Sequence, residues 1–160
     1  SRWLRLNFTL ARMKTATTLC VTMTLVTSVL SATPEGSGSL LSAKSLVCTT
    51  GPGVYTAWTP DGPSTKPSTN SAVFAFSNLD PRSGTARLEG EAGKGPVRML
   101  ITAAGITFIE QTRLGGVFIT TVYDTRPSST AGYVVVDTRH NTLFGEPSIS
   151  QYFGTCKAAF

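Results

Sequence analysis

One histidine, His140, carries whatever case this chain makes for acid–base chemistry, and it directly follows Asp137-Thr138-Arg139. Histidine is the side chain whose ordinary titration falls near neutral pH. Asp124 or Asp137 could orient it and one of several serines could attack, which would make a hydrolase constellation. No Gly-x-Ser-x-Gly elbow supports that reading, and the serines sit in low-complexity stretches. The pattern fits better an exposed or hydrogen-bonded histidine at a strand end, so no catalytic residue is assigned.

The carboxylates offer other chemistry. Glu89 and Glu91 stand two apart and share one face of a candidate strand. Glycosidic acid–base pairs normally face each other from different elements, so these two read as solvated. Glu110 lies on the same face as Ile106 and Phe108. If that face points inward, its carboxylate needs a partner such as Arg98, Arg113 or Arg139. The run Gly90-Glu91-Ala92-Gly93-Lys94-Gly95 lacks the phosphate-loop pattern and precedes a strand, so it reads as a hairpin turn.

The elements that must position these residues follow a period of two, the mark of strands with one buried face. Nine candidates emerge: Leu46–Thr50, Val54–Trp58, Val73–Leu79, Thr85–Glu91, Val97–Thr102, Ile106–Gln111, Val117–Asp124, Tyr133–Arg139 and Ile149–Thr155. In the fifth, Val97, Met99 and Ile101 share a face. Gly105 and Leu114-Gly115-Gly116 mark hairpin turns. Thr59–Ser71, with Pro60, Pro63 and Pro67, reads as an irregular surface loop. No convincing amphipathic helix follows residue 45. The prediction is an all-β antiparallel meander curling into a small barrel or half-barrel. Aromatics such as Phe74, Phe76, Phe108 and Phe118 could line a cavity in its mouth, although ordinary core packing is the simpler reading.

Met13 to about Ala32 has the order of a secretory signal: Lys14 near the start, an apolar stretch Leu19–Leu30, then small residues Ser31 and Ala32. The twelve residues before Met13 read as upstream extension. At 12 residues the apolar stretch is short of the ~20 needed to span a bilayer, and no transmembrane segment is expected after it. Thr33–Ser45, rich in Gly and Ser, reads as a flexible lead-in, and 46–160 as one β domain.

The whole chain carries a net charge of +5. Arg2, Arg5, Arg12 and Lys14 all lie before residue 33, so 14 Lys and Arg less these four leaves ten against nine acidic residues, a net of +1. The remaining cations are scattered singly, which argues against a nucleic-acid partner. Beyond the leader two cysteines remain, Cys48 and Cys156, and in an oxidising compartment they form a disulfide linking the first and last strands. Without a CxxC, and with one His, no metal site and no cofactor are expected.

Four segments carry a resemblance: Phe108–Thr112, Ile119–Tyr123, Thr138-Arg139-His140 and Ser150-Gln151-Tyr152-Phe153-Gly154-Thr155-Cys156. Over about 50 residues at its end, the chain resembles a group of small exported bacterial β-rich proteins with a Ser-Gln-Tyr-aromatic-Gly-Thr-Cys tail and no assigned activity. The resemblance implies an exported, β-rich, bacterial protein and nothing catalytic.

The expectation is therefore a periplasmic or secreted non-enzymatic β-domain, cleaved near Ala32, that binds a small ligand, a glycan or an envelope protein. Its candidate binding residues are polar groups near strand ends: Glu110, Thr121, Tyr123, Arg139 and His140. The alternatives are a small hydrolase using His140 with Asp137 or Asp124, and a purely structural envelope component.

Overall fold

The computed structural model describes residues 39–160 apart from 92, 130, 143 and 144. The expected signal segment and upstream extension, and the lead-in up to residue 38, lie outside the described residues. Nine strands follow in chain order: β1 (Ser45–Thr59), β2 (Gly62–Ser68), β3 (Ala72–Asp80), β4 (Thr85–Gly90), β5 (Gly93–Thr102), β6 (Gly105–Gln111), β7 (Val117–Tyr123), β8 (Tyr133–Asn141) and β9 (Ser148–Ala159). From β3 onward each strand pairs antiparallel with the next, and β9 returns to pair with β1. Eight strands thus close into a barrel, with β2 as an extra strand on the edge of β1.

Two expected boundaries are corrected. The first two candidate strands are halves of one, β1, because Gly51-Pro52-Gly53 shifts its register against β9 instead of ending it. A bulge of this kind bends a strand without terminating it. On its other edge β1 pairs with β3 over Leu46–Thr50 and with β2 over Gly53–Thr59. The segment expected as a surface loop accordingly carries β2. Pro63 and Pro67 occur there because β2 has one unpaired edge, where a missing N–H costs no ladder bond.

Alternation places Leu46, Cys48, Phe76, Val97, Met99, Ile106, Phe108, Val122, Val135 and Cys156 inside, all buried. Ile101, expected on the buried face with Val97 and Met99, is 44% exposed because β5 has by then reached the barrel's end. Gly105 begins β6 at φ +146°, and a Cβ there would overlap the Val122 carbonyl, so this hairpin requires glycine.

The disulfide joins Cys48 and Cys156, directly opposite residues of β1 and β9, inside the barrel at its seam. The same seam is tight at Gly154, where a Cβ would overlap the Thr49 carbonyl.

The two ends of the barrel differ. At one end a short 3-10 turn, Leu40–Ser42, packs against β6 and buries Leu40 completely. The Lys44 N–H bonds the Ala159 carbonyl, and the Leu79 N–H bonds the Lys44 carbonyl. Residues 39–45, expected to belong to a flexible lead-in, are therefore built into the closed end. The opposite end holds the β4–β5, β6–β7 and β8–β9 connections and opens into a cavity.

Candidate functional site

Eight-stranded barrels have an interior just wide enough to be filled by side chains or to hold one small ligand. Here the closed half is filled and the open half is not. A cavity of about 790 Å³ opens at the mouth, within the range of small-molecule sites. Its floor is the stacked pair Phe76 and Phe108, with centroids 3.7 Å apart, and Phe74 meets Phe76 edge-on at 5.7 Å. Leu88, Val97 and Phe118 continue the apolar wall.

The polar groups come from β6, β7 and β8, interleaved with Phe108 and Phe118. Phe118 pairs with Arg139 and with Glu110, and Thr120 pairs with Asp137 and with Phe108, so these side chains face the interior together. Asp137 is 3% exposed, a depth at which a carboxylate requires partners. It has two: the Thr120 hydroxyl donates to Oδ1 at 2.8 Å, and the Arg139 Nε donates to Oδ2 at 2.8 Å. The Arg139 guanidinium lies 5.3 Å from the Phe118 ring centroid and 5.2 Å from that of Tyr152. Flanked by two aromatic faces and anchored through Nε, it is held in place. Neither of its Nη groups donates to an acceptor among the described residues.

Glu110 stands on the other side of Phe118 from Arg139, half-buried. Burial holds its carboxyl above the ordinary range; the Arg139 charge opposes that shift and the Asp137 charge adds to it. Among the described residues it makes no ion pair, since Arg139 is directed at Asp137 and Lys94 at Glu89. Tyr152 is tied to the joint between β2 and β3, with Ser68 Oγ and Asn70 Nδ2 at 3.4 and 3.5 Å from its hydroxyl. Burial alone would raise this phenol, but hydrogen bonds with Ser68, Asn70 and Ser150 and the Arg139 charge bring it below its usual value.

Of the five residues expected at a binding surface, the structure brings Glu110 and Arg139 together in the cavity. Thr121, Tyr123 and His140 fall on the outer face. Thr121 exchanges a hydrogen bond with Thr107 at 3.0 Å across β6 and β7, and Tyr123 pairs with Gly105 near the closed end. His140 is exposed beside Val117. It is three positions along the strand from Asp137, an odd offset, so the two point to opposite faces of β8. Asp124 lies past the far end of β7, about 20 Å from Val117 at ~3.3 Å per residue. Neither aspartate can orient His140 in this fold.

The carboxylates are redistributed as well. Glu89 is on β4, paired with Lys94 at 3.1 Å and bonded by Ser77; these contacts hold its carboxyl below the ordinary range. Glu91 sits in the β4–β5 turn at the cavity rim. Sequence reasoning places Asp137 in a catalytic alternative, counts Phe118 and Tyr152 among aromatics that could line a cavity, and passes over Thr120. A usable signal is parity: Asp137 and Arg139, two apart, necessarily share a face.

Among the described residues no group of three His, Cys, Asp or Glu is placed to hold a metal, and no helix is long and apolar enough to cross a membrane. No protein-family model matches the chain, and no curated protein matches it in sequence.

Proposed function

We propose that this protein is an exported, non-enzymatic binding module whose barrel mouth holds one small amphipathic ligand. The observation that carries the reading is the mixed lining of the cavity. Phe74, Phe76, Leu88, Val97, Phe108 and Phe118 supply apolar surface, and Glu110, Thr120, Asp137 and Arg139 supply a cluster of polar groups beside it. A barrel serving as structure alone gains by filling its interior, because unfilled apolar volume forfeits packing contacts. Export is supported by the buried disulfide, since such bonds persist in oxidising compartments, and by the signal-like order of Met13–Ala32.

The test is nuclear magnetic resonance titration of the folded domain with a panel of small amphiphiles. The expected result is saturable one-to-one binding, with shift changes concentrated at Leu88, Val97, Phe74 and Phe118. Shift changes confined to the outer face, at Thr121, Tyr123 or His140, would overturn the cavity reading, and so would no saturable binding from any member of the panel.

A further inference from the structure

The polar cluster contains one charge that is fixed and one that can be removed. A guanidinium keeps its charge across the physiological range. Asp137 is committed to Arg139 and Thr120. Glu110 has no ion-pair partner among the described residues, and its partial burial favours the uncharged form. The other charged groups facing it are Arg113 from the β6–β7 turn and Lys94 and Glu91 from the β4–β5 turn, all at the rim. Lys94 is already paired with Glu89.

These facts decide the sign of the ligand. A cation beside Glu110 would also lie beside the Arg139 guanidinium, which is reachable from the cavity, whereas the Asp137 carboxylate that offsets its charge is buried behind it, 4% exposed. An anion on Arg139 would initially meet Glu110, and protonation of Glu110 removes the conflict. The protonated acid then has an O–H to donate to the same anion. The two uncommitted Nη groups present parallel N–H donors, the geometry that grips a carboxylate with two bonds.

Resting on the proposed ligand cavity, we infer that its ligand is an amphipathic carboxylate. The carboxylate sits on the Nη edge of Arg139, its apolar body lies against the phenylalanine floor, and one proton is taken up at Glu110 on binding. The proton balance is simple: above the titration of Glu110, an ionised ligand and an ionised Glu110 plus one solvent proton give a complex with one shared negative charge. Affinity therefore rises as pH falls, until the ligand's own carboxylate protonates in solution.

The experiment is isothermal titration calorimetry of the folded protein with decanoate, decan-1-ol and decylamine, three probes with the same chain and different heads. Decanoate is expected to bind about tenfold to a hundredfold more tightly than decan-1-ol, as a charge-assisted pair of bonds allows. Decylamine is expected to be the weakest. Repeating decanoate in buffers of different ionisation heat should show uptake of about one proton near neutral pH. Arg139→Gln should erase the preference for decanoate over decan-1-ol. Arg139→Lys, which keeps the charge but loses the fork, should retain part of it, with circular dichroism verifying the fold of each variant. Glu110→Gln should abolish the proton uptake and its pH dependence.

Equal binding of decanoate and decan-1-ol, or a preference for decylamine, would sink the carboxylate inference while leaving the cavity reading intact. Preference for decanoate without proton uptake would overturn the role given to Glu110. Failure of all three probes to bind would remove the cavity reading itself.

Discussion

Arg139 and Asp137 stand two residues apart on the inner face of β8, joined by a 2.8 Å bond from Nε to Oδ2. The bond uses the side of the guanidinium nearest the chain and leaves the outer edge to the cavity. Arg139 is partly exposed, at 31% of its side chain, and Asp137 almost fully buried, at 4%. The buried partner thus fixes the orientation of the accessible one.

Asp137→Asn tests that relationship. It keeps the shape but removes the charge that holds Arg139, and puts an amide N–H₂ where one of the two accepting oxygens was. A charge-assisted bond in this setting contributes roughly 1.5–3 kcal/mol, so a loss of about 2 kcal/mol in urea unfolding is expected. A double-mutant cycle with Arg139→Gln should return a coupling of about 1 kcal/mol or more. Additive effects would show that the pair contributes nothing beyond its separate parts.

Glu110 predicts a pH effect of unusual sign for a carboxylate. Its folded value is raised above the ordinary 4.5, chiefly by burial. The folded state therefore binds the proton more tightly than the unfolded state. By linkage, stability falls as pH rises from about 4.5 through the folded value, and the penalty is complete above it. Glu110→Gln, which resembles the protonated acid, should raise the thermal midpoint at pH 7 and leave it nearly unchanged at pH 4. A midpoint that drops equally at both values would show that the introduced amide fails to mimic the acid.

The β6 to β8 region was legible because its alternation is clean: Ile106, Phe108 and Glu110 fall on one face, and Gly105 at a turn, from sequence alone. Gly51-Pro52-Gly53 misled because the same residues that end strands also build bulges, and the choice depends on β9 lying alongside. β2 was missed for a related reason: Pro63 and Pro67 exclude a central strand but not an edge. Thr121, Tyr123 and His140 fell outside the cavity because a strand-end position does not say which face a side chain takes. His140 and Arg139 are adjacent in the chain and on opposite sides of the barrel wall. The cavity itself could not be read, since the same phenylalanines would suit a filled core.

Leu40 supplies a test of the closed end. It is fully buried, although it belongs to a Gly/Ser-rich stretch that looks unstructured. Leu40→Ala removes buried methyl groups and leaves a void that the 3-10 turn can only partly close, costing about 3 kcal/mol. Hydrogen exchange should quicken at Leu79 and Lys44, whose amides bond across this end. A cost under about 0.5 kcal/mol, the range of ordinary surface substitutions, would show that the turn is not part of the folded unit.

The disulfide closes a separation of 108 residues across the barrel seam. The chain-entropy account assigns such a loop about 4–5 kcal/mol. Replacing both cysteines with alanine should lower stability by about that amount, measured by urea unfolding of the two forms. The loss should fall mainly on global stability, because β1 and β9 are ladder partners along most of their length. If the amides of β9 alone exchange faster, the bond protects a fraying edge instead of holding the closure.

Thr50 makes the opposite kind of prediction, a substitution that stabilises. It is 1% exposed on the inner face of β1, and among the described residues its hydroxyl has no hydrogen-bond partner. A buried polar atom left in that state costs about 1–3 kcal/mol relative to one in water. Valine has nearly the same shape and carries no polar atom, and β-branched residues suit a strand. Thr50→Val is therefore expected to raise stability by about 1 kcal/mol without altering the barrel. It should also leave decanoate binding unaffected, since Thr50 is not among the cavity's lining residues. A destabilised Thr50→Val would mean that the hydroxyl is bonded in solution, with a water molecule inside the barrel as the simplest partner.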